Sequence, residues 1–428
     1  MPINVAIVGV GLVGSETISQ LARLAQFRIV ALSNSKKLLF NPSGIPVSSW
    51  QSELASSDSK PDLDQLTRSL AELRARGDRV ALVDNTSSDA VAGLYPTFLS
   101  AGIDVVTPNK KAYSSDLGLY QRIKDASAQS GARYLNESTV GAGLPIISTL
   151  KDLIATGDKV IKIEGVLSGT LSYIFNEYSK PGGGDSAFSS IVKVAREKGY
   201  TEPHPGDDLN GADVARKLTI LSRMIPELTS ALPQGYKSVS ITSLVPDALT
   251  DIASGDEFIA RLPEFDVDQA KLRDEATKEG KVLRYAGVID VKSGTIKAAL
   301  EKYPVDHPFA TALGGSDNII AFHTERYSPR PLIVQGAGAG AAVTAMGVVS
   351  DLLKLSRELV WAAHPRARLA VGRPRSTLAA SQPRGFPNLT GLGVVADADE
   401  RAEDKSALLK FNRPRSYRHT QYHTSTLG

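Results

Sequence analysis

Apolar positions in residues 1–150 form short continuous runs that alternate with longer stretches of helical periodicity. The short runs predict strands at Asn4–Val8, Arg28–Leu32, Val80–Val83, Asp104–Thr107 and Ala132–Asn136. The longer stretches predict helices at Ser15–Ala25, Leu63–Ala75, Asp89–Ala101 and Ser115–Ala128. The segment 35–62 is rich in Ser, Lys and Pro and predicts an irregular crossing. Because strands and helices alternate, we expect an α/β domain with a doubly wound parallel sheet.

The pattern changes after Pro145, where strict alternation ends. A helix at Leu144–Thr156 and a strand at Val160–Leu167 come first. Further strands are predicted at Lys281–Val291, Thr295–Lys302, Asn318–Thr324 and Leu332–Gln335. This mixture is typical of an α+β domain with a mostly antiparallel sheet. We therefore expect one domain at 1–150 and a second at 151–340.

The C-terminal part divides into an apolar helix and a basic tail. The helix follows the glycine-rich run 336–340 and is predicted to reach about Leu359. The tail, 361–428, is rich in Pro, Arg, Ser and Gly and is expected to be disordered. It holds 11 Lys and Arg against 5 Asp and Glu, whereas residues 1–360 hold 38 against 41. The net charge of +3 therefore does not indicate nucleic-acid binding, because the body is mildly acidic.

The residue composition excludes several kinds of chemistry. The 428 residues include no cysteine, which excludes a disulfide framework, a thiolate zinc site, an iron–sulfur cluster and a thiol nucleophile. The six histidines form no metal-binding helix pair, which argues against a zinc-dependent alcohol dehydrogenase. No apolar run approaches the roughly 18 residues of a membrane span. Since Ile3–Val8 resembles a strand rather than a signal peptide, we expect a cytoplasmic protein that does not associate with membranes.

A glycine motif with the order Gly9-Val-Gly11-Leu-Val-Gly14 follows the first predicted strand and opens a helix. This context is typical of dinucleotide binding, because a helix N-terminus and a close backbone accommodate a pyrophosphate. The alternative is a glycine-rich turn in another α/β fold. The second strand ends at Ser33-Asn34 with no acid to bind a ribose 2′-hydroxyl, and lysines follow at 36–37. This favours NADP, or the use of both NADP and NAD, unless the lysines are only solvated loop charges.

Two further loops follow predicted strands and can reach a ligand at the carboxyl edge of the sheet. Thr86 and Ser87 lie in the first loop, which could instead cap the next helix. Lys110 lies in the second loop and points either into the crevice or to solvent.

Asp213 and Lys217 have the spacing of an ordinary surface ion pair on a helix. A helical wheel instead places both within the apolar arc, with Arg216, Thr219, Ser222 and Arg223 on the opposite side. Charges on a core-facing arc indicate a functional site, although a buried structural pair is the alternative.

Carboxylates just upstream of this helix add to the candidate site. Tyr200 and Glu202 precede Asp207 and Asp208, and with Lys217 they predict a pocket suited to an ammonium group. Either Asp207 or Asp208 could instead be the helix N-cap.

At this level of detail the chain resembles homoserine dehydrogenase, in particular the short monofunctional form of fungi. The stretches that carry the resemblance are 83–88, 107–112, 137–145, 163–176, 199–203, 207–217 and 335–345. The resemblance implies reversible NAD(P)-dependent interconversion of L-homoserine and L-aspartate 4-semialdehyde, a step of threonine and methionine biosynthesis. It also implies a homodimer, an N-terminal Rossmann-type domain completed by the helix 341–360, and a catalytic and dimerisation domain at 151–340. The tail 361–428 has no counterpart in the resemblance.

The resemblance also assigns roles to particular residues. Lys217 is the expected acid/base, and Lys110 assists it and contacts cofactor. Substrate contacts are expected from Glu202, Asp213, Asp208, Tyr200 and Thr170. Cofactor contacts are expected from Gly9, Gly11, Val13, Gly14, Thr86, Ser87, Lys110, Gly199 and Gly340. A sodium-type cation is expected at Glu137 and at the backbone carbonyls of Val140, Ala142 and Leu144.

Two other functions compete with this interpretation. One is another NAD(P)-dependent dehydrogenase of a small amino or hydroxy acid. The other is a non-catalytic NAD(P)-sensing protein whose basic tail binds an acidic partner.

Overall fold

The computed structural model describes residues 2–362, with side chains described as far as Ser356. Its first sheet has the strand order β3-β2-β1-β4-β5-β6. The strands are β1 (Ile3–Val8), β2 (Phe27–Ser33), β3 (Leu38–Phe40), β4 (Val80–Asp84), β5 (Asp104–Val106) and β6 (Tyr134–Leu135). All pairings are parallel except that of β3 with β2. The predicted doubly wound α/β sheet is confirmed, with one antiparallel strand added at its edge.

Seven helices belong to this region: α1 (Leu12–Leu21), α2 (Trp50–Ser56), α3 (Leu63–Ala75), α4 (Asp89–Gly93), α5 (Tyr95–Ser100), α6 (Lys111–Ser114) and α7 (Leu117–Ser130). The prediction of an irregular crossing at 35–62 is wrong in part, because β3 and α2 lie within it. The single helix predicted at Asp89–Ala101 is also wrong. It breaks at Leu94, where a second helix begins with Pro96 in its first turn, and proline cannot donate the hydrogen bond that a continuous helix needs.

The second sheet has the order β12-β11-β7-β9-β10-β8. Its strands are β7 (Val160–Val166), β8 (Ser240–Ile241), β9 (Lys281–Asp290), β10 (Thr295–Pro304), β11 (Asp317–Thr324) and β12 (Leu332–Ala337). Only the pairing of β8 with β10 is parallel, so the predicted mostly antiparallel sheet is confirmed. The helices of this region are α8 (Ile147–Ala155), α9 (Gly169–Tyr178), α10 (Phe188–Glu197), α11 (Gly206–Leu209), α12 (Ala212–Ser222), α13 (Gly255–Arg261), α14 (Asp266–Lys278) and α15 (Pro308–Thr311).

The last helix of the described residues, α16 (Ala341–Ala362), returns to the first sheet. Its side chains Val348, Leu352 and Leu355 are buried in the same apolar cluster as Ile18 and Leu21 of α1. The predicted domain limits at residues 150 and 340 stay predictions. The predicted tail lies outside the described residues apart from its first two positions, 361 and 362. Within residues 2–362, no helix is both long enough and apolar enough to cross a membrane.

Candidate active site

A cavity of about 880 Å³ is lined by both regions of the molecule. The first region contributes Val13 of α1 and the loops after β4 and β5, and the second contributes α9, α12 and the segment 199–208. Thirteen of the residues predicted for the site line this cavity: Lys217, Lys110, Glu202, Asp213, Asp208, Tyr200, Thr170, Val13, Thr86, Ser87, Gly199, Gly340 and Ala142. Gly9, Gly11, Gly14, Glu137, Val140 and Leu144 do not line it.

The glycine motif has the geometry that a pyrophosphate requires. Gly9 adopts a positive φ of 92°, and a Cβ on Gly14 would lie 2.1 Å from the Gly9 carbonyl oxygen. Gly11 precedes α1, and a Cβ at this position would meet nothing within 4 Å. This open position and the free N–H groups of α1 together fit a phosphate at the helix N-terminus.

The loop after β4 serves both functions that the sequence left open. Thr86 and Ser87 line the cavity. Ser88 caps α4, because its hydroxyl oxygen accepts a hydrogen bond from Val91 N at 3.3 Å. Helix capping and contact with the cavity therefore fall on neighbouring residues.

Hydrogen bonds hold the loop after β2 in place. The Asn34 side chain accepts hydrogen bonds from the backbone N–H groups of Lys36 and Lys37, each at 2.8 Å. The Lys37 ammonium group donates to the carbonyl of Ala55, whereas Lys36 is exposed. No acidic residue stands in this loop, which matches the sequence.

Lys217 is the buried cation of the site, with 7% of its surface exposed. Its ammonium group lies 2.7 Å from Asp213 Oδ2 and donates to the Leu167 carbonyl at 2.6 Å. Burial lowers the pKa of Lys217 below its ordinary value, although Asp213 opposes this shift. A lysine with a lowered pKa is suited to proton transfer near neutral pH.

Asp213 joins two lysines from different regions. The Lys110 ammonium group lies 3.3 Å from Asp213 Oδ1. Partial loss of hydration within the site opposes ionisation of Asp213, but Lys110 and Lys217 together hold its pKa well below the ordinary range. The Asp213 side chain is 46% exposed, so the predicted burial of both members of the pair holds only for Lys217.

The opposite side of α12 also differs from the prediction. Thr219, Ser222 and Arg223 are all buried, although the wheel placed them away from the core. The Arg223 guanidinium group donates to the carbonyls of Tyr113 at 2.8 Å and Ser115 at 2.6 Å. The helical wheel failed because α12 packs against both β9 and α6, so more than one of its sides is covered.

The segment 199–208 is held by a carboxylate. Thr170 at the start of α9 donates to Asp208 Oδ1 at 2.8 Å and lies 2.6 Å from the Tyr200 carbonyl. Asp208 Oδ2 accepts the Glu202 N–H at 2.8 Å. Burial raises the pKa of Asp208 to about 6. Both Asp208 oxygens thus fix the loop that presents Glu202.

The N-cap alternative for the two aspartates is wrong. The N-cap of α12 is Gly211, which has a φ of 76°. Asp207 and Asp208 instead lie in the short helix α11. Asp207 is exposed and lines the cavity.

Sequence reasoning missed several residues that line the cavity, among them Asn109, Ser168 and Arg216. Ser168 caps α9 through a hydrogen bond from Leu171 N at 3.2 Å. The Arg216 guanidinium group lies 3.7 Å from the centre of the Tyr236 ring. Ser168 lies two positions before the predicted contact Thr170, so its place in the site could have been inferred from the sequence. Arg216, by contrast, was assigned to the wrong side of α12.

The Glu137 carboxylate does not fit the expected role of a cation ligand. Its Oε1 accepts N–H groups from Ile147 at 2.8 Å and Ser148 at 3.2 Å. Its Oε2 accepts the Ser148 N–H at 3.0 Å and the Lys354 ammonium group at 3.1 Å. These contacts use the four lone-pair positions of the carboxylate. The carbonyl oxygens of Val140 and Ala142, by contrast, are hard donors of the kind a sodium ion accepts.

Comparisons with known proteins decide the family. A sequence model of homoserine dehydrogenase matches residues 145–353, and a model of the homoserine dehydrogenase NAD-binding domain matches residues 9–137. The chain is 48% identical to the homoserine dehydrogenase of Schizosaccharomyces pombe, covering 83% of this chain and 96% of that one. The chain belongs to the homoserine dehydrogenase family. It is an NAD(P)-dependent oxidoreductase that acts on a CH–OH group.

Other members of the family extend the comparison. The homoserine dehydrogenase of Saccharomyces cerevisiae is 45% identical, over 83% of this chain and 99% of that one. A crystal structure of a Candida auris protein of unknown function is 46% identical and has a TM-score of 0.78, with coverage of 83% and 98%. The Thermoplasma acidophilum homoserine dehydrogenase, at 22% identity and a TM-score of 0.60, shares the fold over 83% of this chain and all of that one. The predicted family, activity class and nucleotide cofactor are confirmed, and the two competing functions are not favoured.

Proposed function

We propose that this homoserine dehydrogenase interconverts L-homoserine and L-aspartate 4-semialdehyde, with Lys217 as the general acid and base. The observation that carries this assignment is the position of the Lys217 ammonium group. It is buried, faces the cavity and is held between Asp213 and the Leu167 carbonyl. Such a group can donate a proton to the developing alkoxide during reduction and remove it during oxidation.

The nicotinamide supplies or accepts a hydride at the carbon that carries this oxygen when the cofactor is bound. Asp213 orients Lys217 and holds Lys110 beside it. Lys110 adds a second positive charge where negative charge develops on the substrate oxygen, which lowers the barrier electrostatically.

The substrate ammonium group is assigned to the acidic side of the cavity. Glu202, Asp207 and Asp208 line that side together with Tyr200. Because Asp208 holds the Glu202 backbone and Thr170 holds Asp208, the Glu202 carboxylate is presented from a fixed loop. Three carboxylates in one cavity favour a cationic group over a neutral one, which suits an amino acid substrate.

NADP use, in preference to NAD or alongside it, is supported by the loop after β2. Asn34, Lys36 and Lys37 stand there, and no carboxylate repels a 2′-phosphate. An archaeal homoserine dehydrogenase of the same fold, at 19% identity, has been crystallised with NADPH. We expect measurable turnover with NADPH, and an NADH preference above about 100-fold, some 2.7 kcal/mol, would contradict this interpretation of the loop.

A sodium-type cation is proposed to bind through the backbone carbonyls of Val140, Ala142 and Leu144 rather than through the Glu137 carboxylate. Lys354 and the N-terminus of α8 already balance the charge of that carboxylate. No step of the reaction depends on this ion. Choline in place of sodium at constant ionic strength is expected to leave kcat within about twofold, well under the smallest effect of a positioned acid or base.

The homodimer and the cytoplasmic location also remain proposals. One row of cross-strand neighbours in the second sheet runs through Ile333, Ala321, Glu164, Val288 and Lys297, and these side chains share one face. Ala321, Glu164 and Val288 are already buried within one chain, whereas Ile333 on the edge strand β12 is 38% exposed, which supports this edge of the sheet as part of the contact between two copies. Light scattering measures the mass in solution, and an Ile333→Lys variant is expected to shift it toward the monomer.

A spectrophotometric assay tests the activity directly. L-homoserine is supplied with NADP or NAD, and the reduced nicotinamide is measured. A Lys217→Met variant serves as the matched control, since methionine preserves most of the side-chain volume. Turnover by the parent protein and not by the variant is the expected result, and absence of turnover with either cofactor would overturn the proposal.

A further inference from the structure

A buried carboxylate outside the catalytic set joins two loops of the first region. Asp84, the last residue of β4, has no exposed surface. Its Oδ1 accepts the Thr86 N–H at 2.8 Å. Its Oδ2 accepts the Tyr95 hydroxyl at 2.5 Å and the Asn109 side-chain amide at 3.0 Å. Its backbone carbonyl accepts the Thr107 hydroxyl at 2.7 Å. Three hydrogen-bond donors therefore converge on one side chain.

These bonds connect the cofactor loop to the loop that carries Lys110. Thr86, on one side of Asp84, lines the cavity. Asn109, on the other side, accepts the Lys111 N–H at 3.0 Å and donates to the Ser88 carbonyl at 3.0 Å. Lys110 lies between Asn109 and Lys111, so its backbone position follows from this network.

Burying the Asp84 carboxylate without a cation costs free energy of folding, which indicates a purpose beyond stability. Among the described residues, Asp84 forms no ion pair, and burial raises its pKa. A buried carboxylate without a cation is less favourable than a well-packed apolar residue, although it fixes geometry when every bond is satisfied. Asp104, on the neighbouring strand, offers a contrast because it pairs with Arg79 at 3.5 Å.

We propose that Asp84 is a positioning residue for the reaction, because its bond to Asn109 sets the place of the Lys110 ammonium group beside Asp213. Asp84 does not line the cavity, so it acts through Lys110 rather than on the substrate. The same bonds keep Thr86 and Lys110 at a fixed separation while Lys217 approaches from the second region. This inference rests on the role proposed above for Lys110.

The test compares Asp84→Asn with a matched control. An asparagine has one carbonyl oxygen for three donors, so the link to Asn109 or to Thr86 is lost. We expect kcat to fall about 10- to 100-fold, since small displacements of a catalytic group carry costs of this size, with KM for homoserine nearly unchanged. Asp104→Asn is the control, because it also removes a buried carboxylate. Asp104 lies at the amino end of β5, where it pairs with Ala81 and is remote from the carboxyl end of β4. Its kcat is expected to match the parent protein.

A double-mutant cycle with Lys110→Met separates positioning from a general loss of structure. If Asp84 acts through Lys110, Asp84→Asn causes little further loss of kcat in the Lys110→Met background. Full additivity would overturn the inference, as would an equal loss of kcat in Asp104→Asn. A Lys110→Met variant with parental kcat would instead overturn the proposed role of Lys110. Should Asp84→Asn not fold, Asn109→Ala removes the link on the Lys110 side, together with the bonds of Asn109 to Ser88 and Lys111, and leaves Asp84 bonded to Thr86 and Tyr95; it must show the same non-additivity.

Discussion

The two regions that meet at the cavity contribute different kinds of groups to it. The first region offers backbone geometry and hydroxyl groups at the ends of strands, with Gly9, Gly11 and Thr86 as examples. The second offers charged side chains, and the most important of them, Lys217, is buried within a helix. Under the proposed function, nucleotide binding depends on space for a close backbone, whereas proton transfer depends on the burial of a charge. Substitutions in the first region should therefore weaken cofactor binding, whereas substitutions in the second should lower kcat.

The largest effect is expected at Lys217. Lys217→Ala removes the proton donor, so kcat should fall by ~10²–10⁴ while cofactor binding stays nearly intact. Stopped-flow or steady-state assays give kcat, and quenching of protein fluorescence by the reduced cofactor gives its Kd. A loss in kcat of less than tenfold would remove Lys217 from the role of acid and base.

The first region should show the opposite pattern. Gly14→Ala places a Cβ about 2.1 Å from the Gly9 carbonyl, which forces the glycine motif to shift. Overpacking of this kind costs about 1–3 kcal/mol, so the Kd for cofactor should rise about 10- to 100-fold, with a smaller change in kcat at saturation. Gly93→Ala is the control, since a Cβ there meets nothing within 4 Å. Similar cofactor affinities in the two variants would contradict the comparison.

The pH dependence of KM for homoserine distinguishes the contribution of Asp208 from that of Lys217. The pKa of Asp208 is raised to about 6 by burial, so Asp208 gains its negative charge as the pH rises through 6. An ionised Asp208 favours the substrate ammonium group, and KM for homoserine should therefore fall across this range. Asp208→Asn should lose this acid limb. If the limb persists unchanged in the variant, another group is responsible for it.

The smallest effect is expected from the C-terminal tail, which belongs to neither region. Truncation after Val360 should leave kcat and the number of chains per particle unchanged, because Thr344 is the last of the described residues that lines the cavity. A truncation before Ala341, which also removes α16, should prevent folding of the first region. Altered kinetics after the shorter truncation would show that the tail contacts the catalytic body.

The sequence predicted the first region more completely than the second. The bounds of Leu63–Ala75 were correct, because an aspartate cap at Asp62 and a clear amphipathic pattern mark this helix. The short elements β3 and α2 were missed, since three to seven residues give too little periodicity to detect. The glycine motif could be interpreted because its glycines are explained by the local turn between a strand and a helix.

The candidate site was predicted as a set of residues and not as an arrangement. Lys217 and Asp213 were found by helical periodicity, yet the meeting of Lys110 with Asp213 joins segments about a hundred residues apart in the chain. The role proposed for Asp84 could not be predicted for the same reason, because the sequence does not distinguish this aspartate from any other at the end of a strand. Long-range hydrogen bonds carry no local signal in one sequence.

The return of α16 to the first sheet has a consequence for synthesis of the protein on the ribosome. Val348 and Leu352 fill the cluster that β1 and α1 begin, so the earliest segments of the chain lack part of their core until the last helix has been made. At roughly 5–20 residues per second, the interval between Leu21 and Leu352 lasts tens of seconds. Throughout this interval the face of α1 that packs against α16 lacks that part of its cover. The N-terminal region of this enzyme is thus expected to need protection by chaperones during translation and to aggregate when it is produced as a fragment.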